Sequence, residues 1–506
     1  MFSTKFHKSA SLQMTMKTFF ISTSIPYVNA DPHIGYALEL IQADVLARFR
    51  RERGQDVFFL IGTDDNATKN VEAAEKAGVP VSKWVSEHAE TFKKTAAKLN
   101  ISNNDFIRTS AEERHLKGAQ KLWLACKKGD IYKKKYQGLY CVGCESFKTE
   151  KDLKNGECPE HPNKKLESIE EENYFFKLSN YEEKLQAFIL ENKLKIIPES
   201  RKNEILRFIE SGLEDFSISR SKERAKNWGV PVPNDSSQIM YVWFDALSNY
   251  INALSYADSG ENFRKYWEKG DEIIHVIGKD INRFHTVYWP AMLLSAGLRL
   301  PTSVFVHGFI TSGGVKMSKS LGNTVNPLEL TGKYGADAVR YYLLREISAY
   351  EDGDFSYEKF EARYNADLAN GLGNFAARTL TLAESAVIKL DTALEQSVDL
   401  EIKKAKKAVE ENLDKFKFNE ASAAIWELIS FGDKYVNEKQ PWNIRHQTSD
   451  FRLQTITNLI VILDNVAALL KPFLPETAEK ITKAINWEGD KLQVKKIASL
   501  FPRLEK

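Results

Sequence analysis

The sequence predicts an α/β protein: a doubly wound parallel sheet, interrupted by an insertion and followed by an α-helical bundle. Three observations predict it. Short β-prone runs at 18–24, 57–61, 273–277 and 303–306 stop at proline, glycine or histidine, and helical patterns follow. Between roughly 125 and 230 this idiom breaks. From about 355 onward long helical periodicities run with few glycines after Gly373. Strand–helix–strand order implies parallel pairing, and apolar strand runs imply burial on both faces.

Taken in order, 18–24 is short, apolar and ends before Pro26. Asp31-Pro32 then opens a pattern in which Ile34, Leu38, Ile41, Val45 and Phe49 lie three or four apart. Asp31 is the expected N-cap, with Pro32 at the first helical position. The run 57–61 ends in Gly62, 240–244 leads into a helix, 273–277 ends at Gly278-Lys279-Asp280, and 303–306 ends at His307-Gly308. Ligands of such sheets bind beyond the carboxyl ends of the strands, where these polar clusters sit. Neither an internal repeat nor a low-complexity linker is visible.

The chain has 506 residues, enough for about three domains at ~150 residues each. With 43% apolar and 28% charged residues it is a globular chain with ample core. No run approaches the ~18–20 uncharged apolar residues of a spanning helix, so no membrane is expected. Seventy-one Lys+Arg against 69 Asp+Glu leave +2, so any nucleic-acid binding must come from local patches. Residues 1–17 are basic and Ser/Thr-rich, and the first acidic residue is Asp31. They read as an extension ahead of Met14 or Met16 in a cytoplasmic protein, or as an organellar transit peptide.

Two stretches suit polyphosphate. His33 and Gly35 lie at a helix start, where backbone N–H groups and the helix dipole attract anions. Lys316-Met317-Ser318-Lys319-Ser320 follows Gly313-Gly314, so two ammonium groups and hydroxyls can meet one phosphate chain on a movable loop. A third stretch suits metal. Cys141-x2-Cys144 is followed after thirteen residues by Cys158-x2-His161, the spacing of a tetrahedral, closed, structural Zn²⁺ site. Cys126 is left over as inert core.

His-Ile-Gly-x at 33–36 and Lys-Met-Ser-Lys-Ser at 316–320, at opposite ends of one α/β fold, resemble the two motifs of class I aminoacyl-tRNA synthetases. Ile25-Pro26-Tyr27-Val28-Asn29, Gly62-Thr63-Asp64, Tyr241-Val242-Trp243-Phe244-Asp245-Ala246, Gly278-Lys279-Asp280, Phe284-His285 and Trp289-Pro290 narrow the resemblance to the methionyl-tRNA synthetases, from about Phe19 to about Trp442. The resemblance implies a Rossmann-type catalytic domain at 18–124 and 231–325, a zinc-binding connective insertion at 125–230, a stem at 326–365 and a helical anticodon-binding domain at 366–506. Three positions depart from the family: Tyr36 replaces the second motif histidine, Asp65-Asn66-Ala67 follows Asp64, and Leu247 stands where many relatives have proline.

The implied reaction activates L-methionine with ATP and Mg²⁺ and transfers it to tRNA(Met). His33, Lys279, Lys316 and Lys319 are the implied catalytic donors. Gly35, Tyr36, Gly278, Asp280 and Ser318 join His33, Lys316 and Lys319 around ATP. Ile25, Tyr27, Asp64, Trp243, Ala246, Tyr250, Phe284, His285 and Trp289 are implied to hold methionine: aromatic edges for the sulfur, Asp64 for the α-ammonium. Asn374, Arg378 and Trp442 match the family's anticodon readers. The chain ends at Lys506 without the C-terminal module that dimerises some relatives, so a monomer is expected. The rivals are another class I enzyme, such as one for cysteine with zinc in its catalytic domain, or a non-catalytic tRNA-binding paralogue.

Overall fold

The computed structural model describes residues 16–142, 146–148, 150, 153–159, 164–317, 322–384, 388–389, 394–443, 448–488 and 491–505. Cys144, His161, Ser318 and Lys319 lie outside the described residues, and Lys316 is described in its backbone only.

Six parallel strands form the central sheet. β1 (Thr18–Thr23) lies between β2 (Asp56–Thr63) and the strand Glu272–Gly278; β3 (Asp105–Arg108) lies beyond β2, and Ser303–His307 and Lys195–Ile197 complete the other side. Phe19, Phe20 and Ile21 alternate between faces, yet all are fully buried, so helices cover both faces. The strand order reverses between β1 and Glu272–Gly278, which opens a crevice at their carboxyl ends.

Helix α1 (Ile34–Glu52) follows β1 and is buried along nearly all of Ile34–Ala47 rather than on one stripe. Its N-cap is His33, not Asp31, and Pro32 precedes the helix. Deep in the structure Asp44 of α1 meets Arg340, both fully buried, at 2.8 Å.

Several expectations change here. The run 240–244 is not a sheet strand leading into a helix. Asp235–Met240 belongs to a separate three-stranded antiparallel sheet, and Val242–Leu247 is already helical. The stretch 125–230 is not wholly an insertion, because Lys195–Ile197 pairs with Ser303–Phe305 in the central sheet. Its outer part is a four-stranded antiparallel sheet in which Ile131–Cys141 pairs with Glu167–Phe176. The run Lys133-Lys134-Lys135 lies opposite Tyr174, Asn173 and Glu172 there, and Lys133 reaches Asp235 at 3.0 Å.

The C-terminal part is a helical bundle, closed by a small three-stranded sheet of Ile388–Lys389, Ile485–Glu488 and Lys491–Val494. Helix Ser449–Leu470 is, by length and composition, long and apolar enough to cross a membrane, contrary to the sequence reading. Most of its apolar window is buried inside the bundle, as in the core helix of a folded domain.

Candidate functional site

A cleft of ≈ 1620 Å³ opens at the switch point of the sheet. At one end stands His33, whose Nδ1 accepts the Gly35 N–H at 3.0 Å. An accepting Nδ1 leaves the proton of a neutral imidazole on Nε2, so the cap fixes the tautomer. A Cβ on residue 35 would lie 2.8 Å from His33 Cε1; glycine is required for the ring to fold back over its own helix. Tyr36 also borders the cleft, but its ring packs edge-on against Phe92 at 4.9 Å, and its hydroxyl is buried without a hydrogen-bond partner among the described residues. Burial, reinforced by Glu39, holds that phenol far above its ordinary pKa.

Across the cleft, Gly278-Lys279-Asp280 ends its strand and lines the same space. The Lys279 ammonium donates to both carboxylate oxygens of Asp352, at 2.8 and 2.6 Å. Between the two ends lies Glu39. Its Oε1 accepts Ser24 N–H and Oγ–H at 2.7 and 2.6 Å, and its Oε2 lies 2.9 Å from His307 Nε2. His307 Nδ1 donates to the Gly308 carbonyl at 2.7 Å, so both ring nitrogens face oxygen partners. Burial alone would lower the His307 pKa, but Glu39 raises it above the ordinary value.

The hairpin Ile310–Ser312/Val315–Lys316 rises beside this end, turning through Gly313 and Gly314 at φ 65° and 73°. The Asp354 carboxylate accepts Gly314 N–H at 2.8 Å and Thr311 Oγ–H at 2.7 Å. Lys316 closes this hairpin.

The other end of the cleft is aromatic. Tyr27 and Asp64 form an isolated parallel bridge just past β1 and β2. The Asp64 carboxylate, almost fully buried, accepts Asn66 N–H at 3.1 Å. Trp243 and Phe284 stack face to face, 3.7 Å apart and 5° from parallel. Ile25, Ala246, Leu247, Tyr250 and His285 complete the wall. His285 Nδ1 donates to the Ile281 carbonyl at 3.0 Å, so Nε2 accepts the Tyr250 hydroxyl at 2.7 Å. Burial pushes His285 down to about 4, so the wall carries no charge at neutral pH.

Trp289 corrects the sequence reading. It is fully buried behind the wall, and its indole N–H donates to His275 Nε2 at 3.3 Å. His275 in turn meets Ser22 Oγ at 2.7 Å and lies 4.1 Å from the Tyr250 ring. Trp289 therefore supports Tyr250 and does not line the cleft.

The family model for class I tRNA synthetases (M) matches residues 19–169 and 162–380, and that for the anticodon-binding domain of tRNA ligases matches 396–504. A methionine–tRNA ligase from Brucella suis biovar 1 is 41% identical over 495 residues, covering 95% of this chain and 94% of the relative. One from Thermotoga maritima is 41% identical over 487 residues, covering 93% and 75%. The structure of Mycobacterium tuberculosis methionyl-tRNA synthetase in complex with methionyl-adenylate superposes with a TM-score of 0.90 at 37% identity, covering 96% of this chain and 100% of that one. The chain belongs to the methionyl-tRNA synthetase family.

Two residues of the departing stretch Asp65-Asn66-Ala67 have structural partners. Asn66 Nδ2 donates to Asp245 at 2.7 Å, and Asp245 also takes His115 Nε2 at 2.5 Å, tying the Asp64 loop to the helix of Trp243. Asp65 accepts from Thr63, Arg108 and Ser110. In the helical domain Asn374 is exposed, and Arg378 and Trp442 are in contact. Glu39, His275, Asp352 and Asp354 were not singled out from sequence. His275 alone carried a signal, as a polar residue inside an apolar strand run.

Cys141 and Cys158 are both fully buried. Cys141 pairs with Ser146 in an antiparallel register. Among the described residues no group of three or more His, Cys, Asp or Glu side chains clusters at metal-binding distance. Cys126 is half-buried, donates to the Leu122 carbonyl at 3.4 Å, and has its thiol pushed up to about 12 by burial.

Proposed function

We propose that this chain activates L-methionine with ATP and transfers it to tRNA(Met). The observation that carries the reading is one cleft with two chemically different ends. One has a buried carboxylate and an uncharged aromatic wall; the other has a tautomer-fixed histidine and a lysine at strand ends. An unbranched thioether suits a wall of Tyr27, Trp243, Tyr250 and Phe284 backed by neutral His285, with sulfur–aromatic contacts worth roughly 0.3–1.5 kcal/mol each. Asp64 pairs with the α-ammonium.

The methionine carboxylate attacks the α-phosphorus and pyrophosphate leaves, so no protein nucleophile is needed. Catalysis is positioning and charge stabilisation by His33 Nε2–H, Lys279, Lys316 and Lys319, around ATP lined by Gly35, Gly278, Asp280 and Ser318. Mg²⁺ accompanies the ATP, held mainly by phosphate oxygens and water. The terminal ribose hydroxyl of tRNA then takes the methionyl group, while Asn374, Arg378 and Trp442 read the anticodon.

In this reading 18–124 and 231–325 are catalytic together with the sheet strand Lys195–Ile197, the rest of 125–230 is the connective insertion, 326–365 the stem and 366–506 the anticodon-binding domain of a cytoplasmic enzyme. The two buried thiols fit one structural Zn²⁺, which Cys141 and Cys158 would share with Cys144 and His161 and which would brace the insertion. Amino-acid-dependent exchange of pyrophosphate into ATP tests the assignment. Methionine should stimulate it far more than leucine, isoleucine or cysteine; equal stimulation by any of these would overturn it.

A further inference from the structure

Lys279 does not stand alone at the cleft. Its ammonium makes two hydrogen bonds to Asp352 and lies 4.5 Å from the centre of the Phe309 ring. Asp352 is itself fixed, because its Oδ1 also accepts the Phe309 N–H at 2.9 Å. The backbone is built for this approach. A Cβ on Gly308 would lie 2.2 Å from the Glu351 carbonyl oxygen and 2.6 Å from the Asp352 nitrogen, so only glycine admits that peptide against the strand end. The next residues continue as Gly353–Phe355, paired in parallel with Ile310–Ser312, and Asp354 holds the Gly313–Gly314 turn. One short segment thus grips Lys279 with Asp352 and the Lys316 hairpin with Asp354.

We propose that Asp352 is a positioning residue for the activation step, holding the Lys279 ammonium at the cleft edge where the ATP phosphates bind. The proposal rests on the reading that Lys279 meets those phosphates. An ammonium on a four-carbon stem samples many rotamers, and two charge-assisted bonds to one planar carboxylate, with an aromatic face alongside, restrict it to one place. Three N–H groups are available and two go to Asp352, which leaves one for an incoming phosphate oxygen.

The experiment measures methionine-dependent pyrophosphate exchange in the full chain for Asp352→Asn, Asp352→Glu, Lys279→Ala and the double variant Lys279→Ala/Asp352→Asn. ATP affinity is measured separately by equilibrium dialysis. Asp352→Asn should raise KM for ATP roughly tenfold and leave KM for methionine unchanged, since charge-assisted bonds are lost at one end of the cleft only. Asp352→Glu, which keeps the charge, should recover most of this. In the Lys279→Ala background Asp352→Asn should add nothing. An impaired Lys279→Ala beside a normal Asp352→Asn overturns the positioning role. So does an Asp352→Asn that weakens both substrates equally without rescue by Glu, which marks a structural role. A normal Lys279→Ala overturns instead the reading that Lys279 meets the phosphates.

Discussion

The Arg378 guanidinium lies over the Trp442 indole, 4.6 Å from the ring centre, and donates to Asn437 Oδ1 at 2.8 Å. Trp442 nevertheless remains 46% exposed, an unusual state for an indole unless something stacks on it. The pair sits in the helical domain and does not border the cleft. Trp442→Ala should therefore weaken aminoacylation roughly ten- to a hundredfold, the worth of ~1–3 kcal/mol of base stacking. Pyrophosphate exchange without tRNA should stay near normal. Arg378→Ala should behave alike, and should also flatten the salt dependence of tRNA use if the guanidinium meets a phosphate. A parallel fall in both activities would make Trp442 a packing residue.

Tyr36 invites a different comparison. Its hydroxyl is buried beside the cleft and has no partner among the described residues, so removing it exposes no orphan. Tyr36→Phe should keep full methionine-dependent exchange and unfold at no lower temperature. A tenfold loss of exchange would show that the phenol meets ATP once the nucleotide binds. Tyr36→His should match wild type or exceed it in exchange, since it restores the family's imidazole.

Three buried histidines set opposing pH dependences. His285 is pushed by burial from an ordinary 6.5 to about 4. Between those values the unfolded chain takes up a proton that the folded chain refuses, so falling pH favours unfolding. His275 is also lowered well below its ordinary value, mainly by burial and then by His285, and acts in the same direction. His307 acts oppositely. Its proton, held by Glu39, stabilises the fold below the ordinary histidine value, and that contribution is lost as pH rises through its raised value. Thermal unfolding should show stability falling from pH 6.5 toward 4, each lowered histidine contributing up to about 1.4 kcal/mol per pH unit. His285→Gln should flatten that slope by one proton's share. An unchanged slope would mean that His285 is protonated in the fold.

For the insertion, elemental analysis should find one zinc per chain, and Cys141→Ser should release it. The variant should lose protection of the insertion in hydrogen exchange before the central sheet does. Zinc-free protein with freely titratable thiols would exclude the site.

The strand ends were legible because a parallel strand run stops where turn chemistry begins, and Gly62, Gly278 and His307 mark those stops. The motif resemblance then placed His33, Asp64, Trp243 and Lys279 on one cleft. Depth was not legible. Tyr250 and Trp289 are aromatic residues on neighbouring helices, and only packing decides that one faces the cleft and the other supports it from behind. Nor could 31–33 reveal its cap, since Asp31 and His33 both offer an acceptor and the helix starts where the second folds back. Lys195–Ile197 has three residues, too few for any periodicity. Asp352 lies 73 residues from Lys279, a separation that no local pattern spans.

The same blindness to distant partners hid the pin between the catalytic and helical parts. Arg340 donates to the carbonyls of Phe473, Pro472 and Leu99 at 2.7, 2.8 and 3.1 Å, and to Asp44 of α1 at 2.8 Å. Asp44 also takes Arg48 Nε at 2.8 Å and Ser102 N–H at 2.7 Å. Burial works against the Asp44 charge, but Arg340 and Arg48 outweigh it and hold its carboxyl below the ordinary range. The pair therefore stabilises the fold at neutral pH, and that contribution disappears as pH falls through the lowered value. Arg340→Met strands three carbonyls and leaves a fully buried carboxylate with one cation fewer. Breaking a buried pair in this way costs roughly 3–5 kcal/mol. Because α1 begins at His33, the loss should reach the cleft. Arg340→Met should unfold at a markedly lower temperature and lose exchange activity on mild warming, while activity at low temperature stays near normal. The double variant Asp44→Leu/Arg340→Met should cost less than the sum of the single changes, because neither charge is left without its partner. Full additivity would mean that the two side chains act independently and that the turn at 472–473 is held to α1 by apolar packing alone.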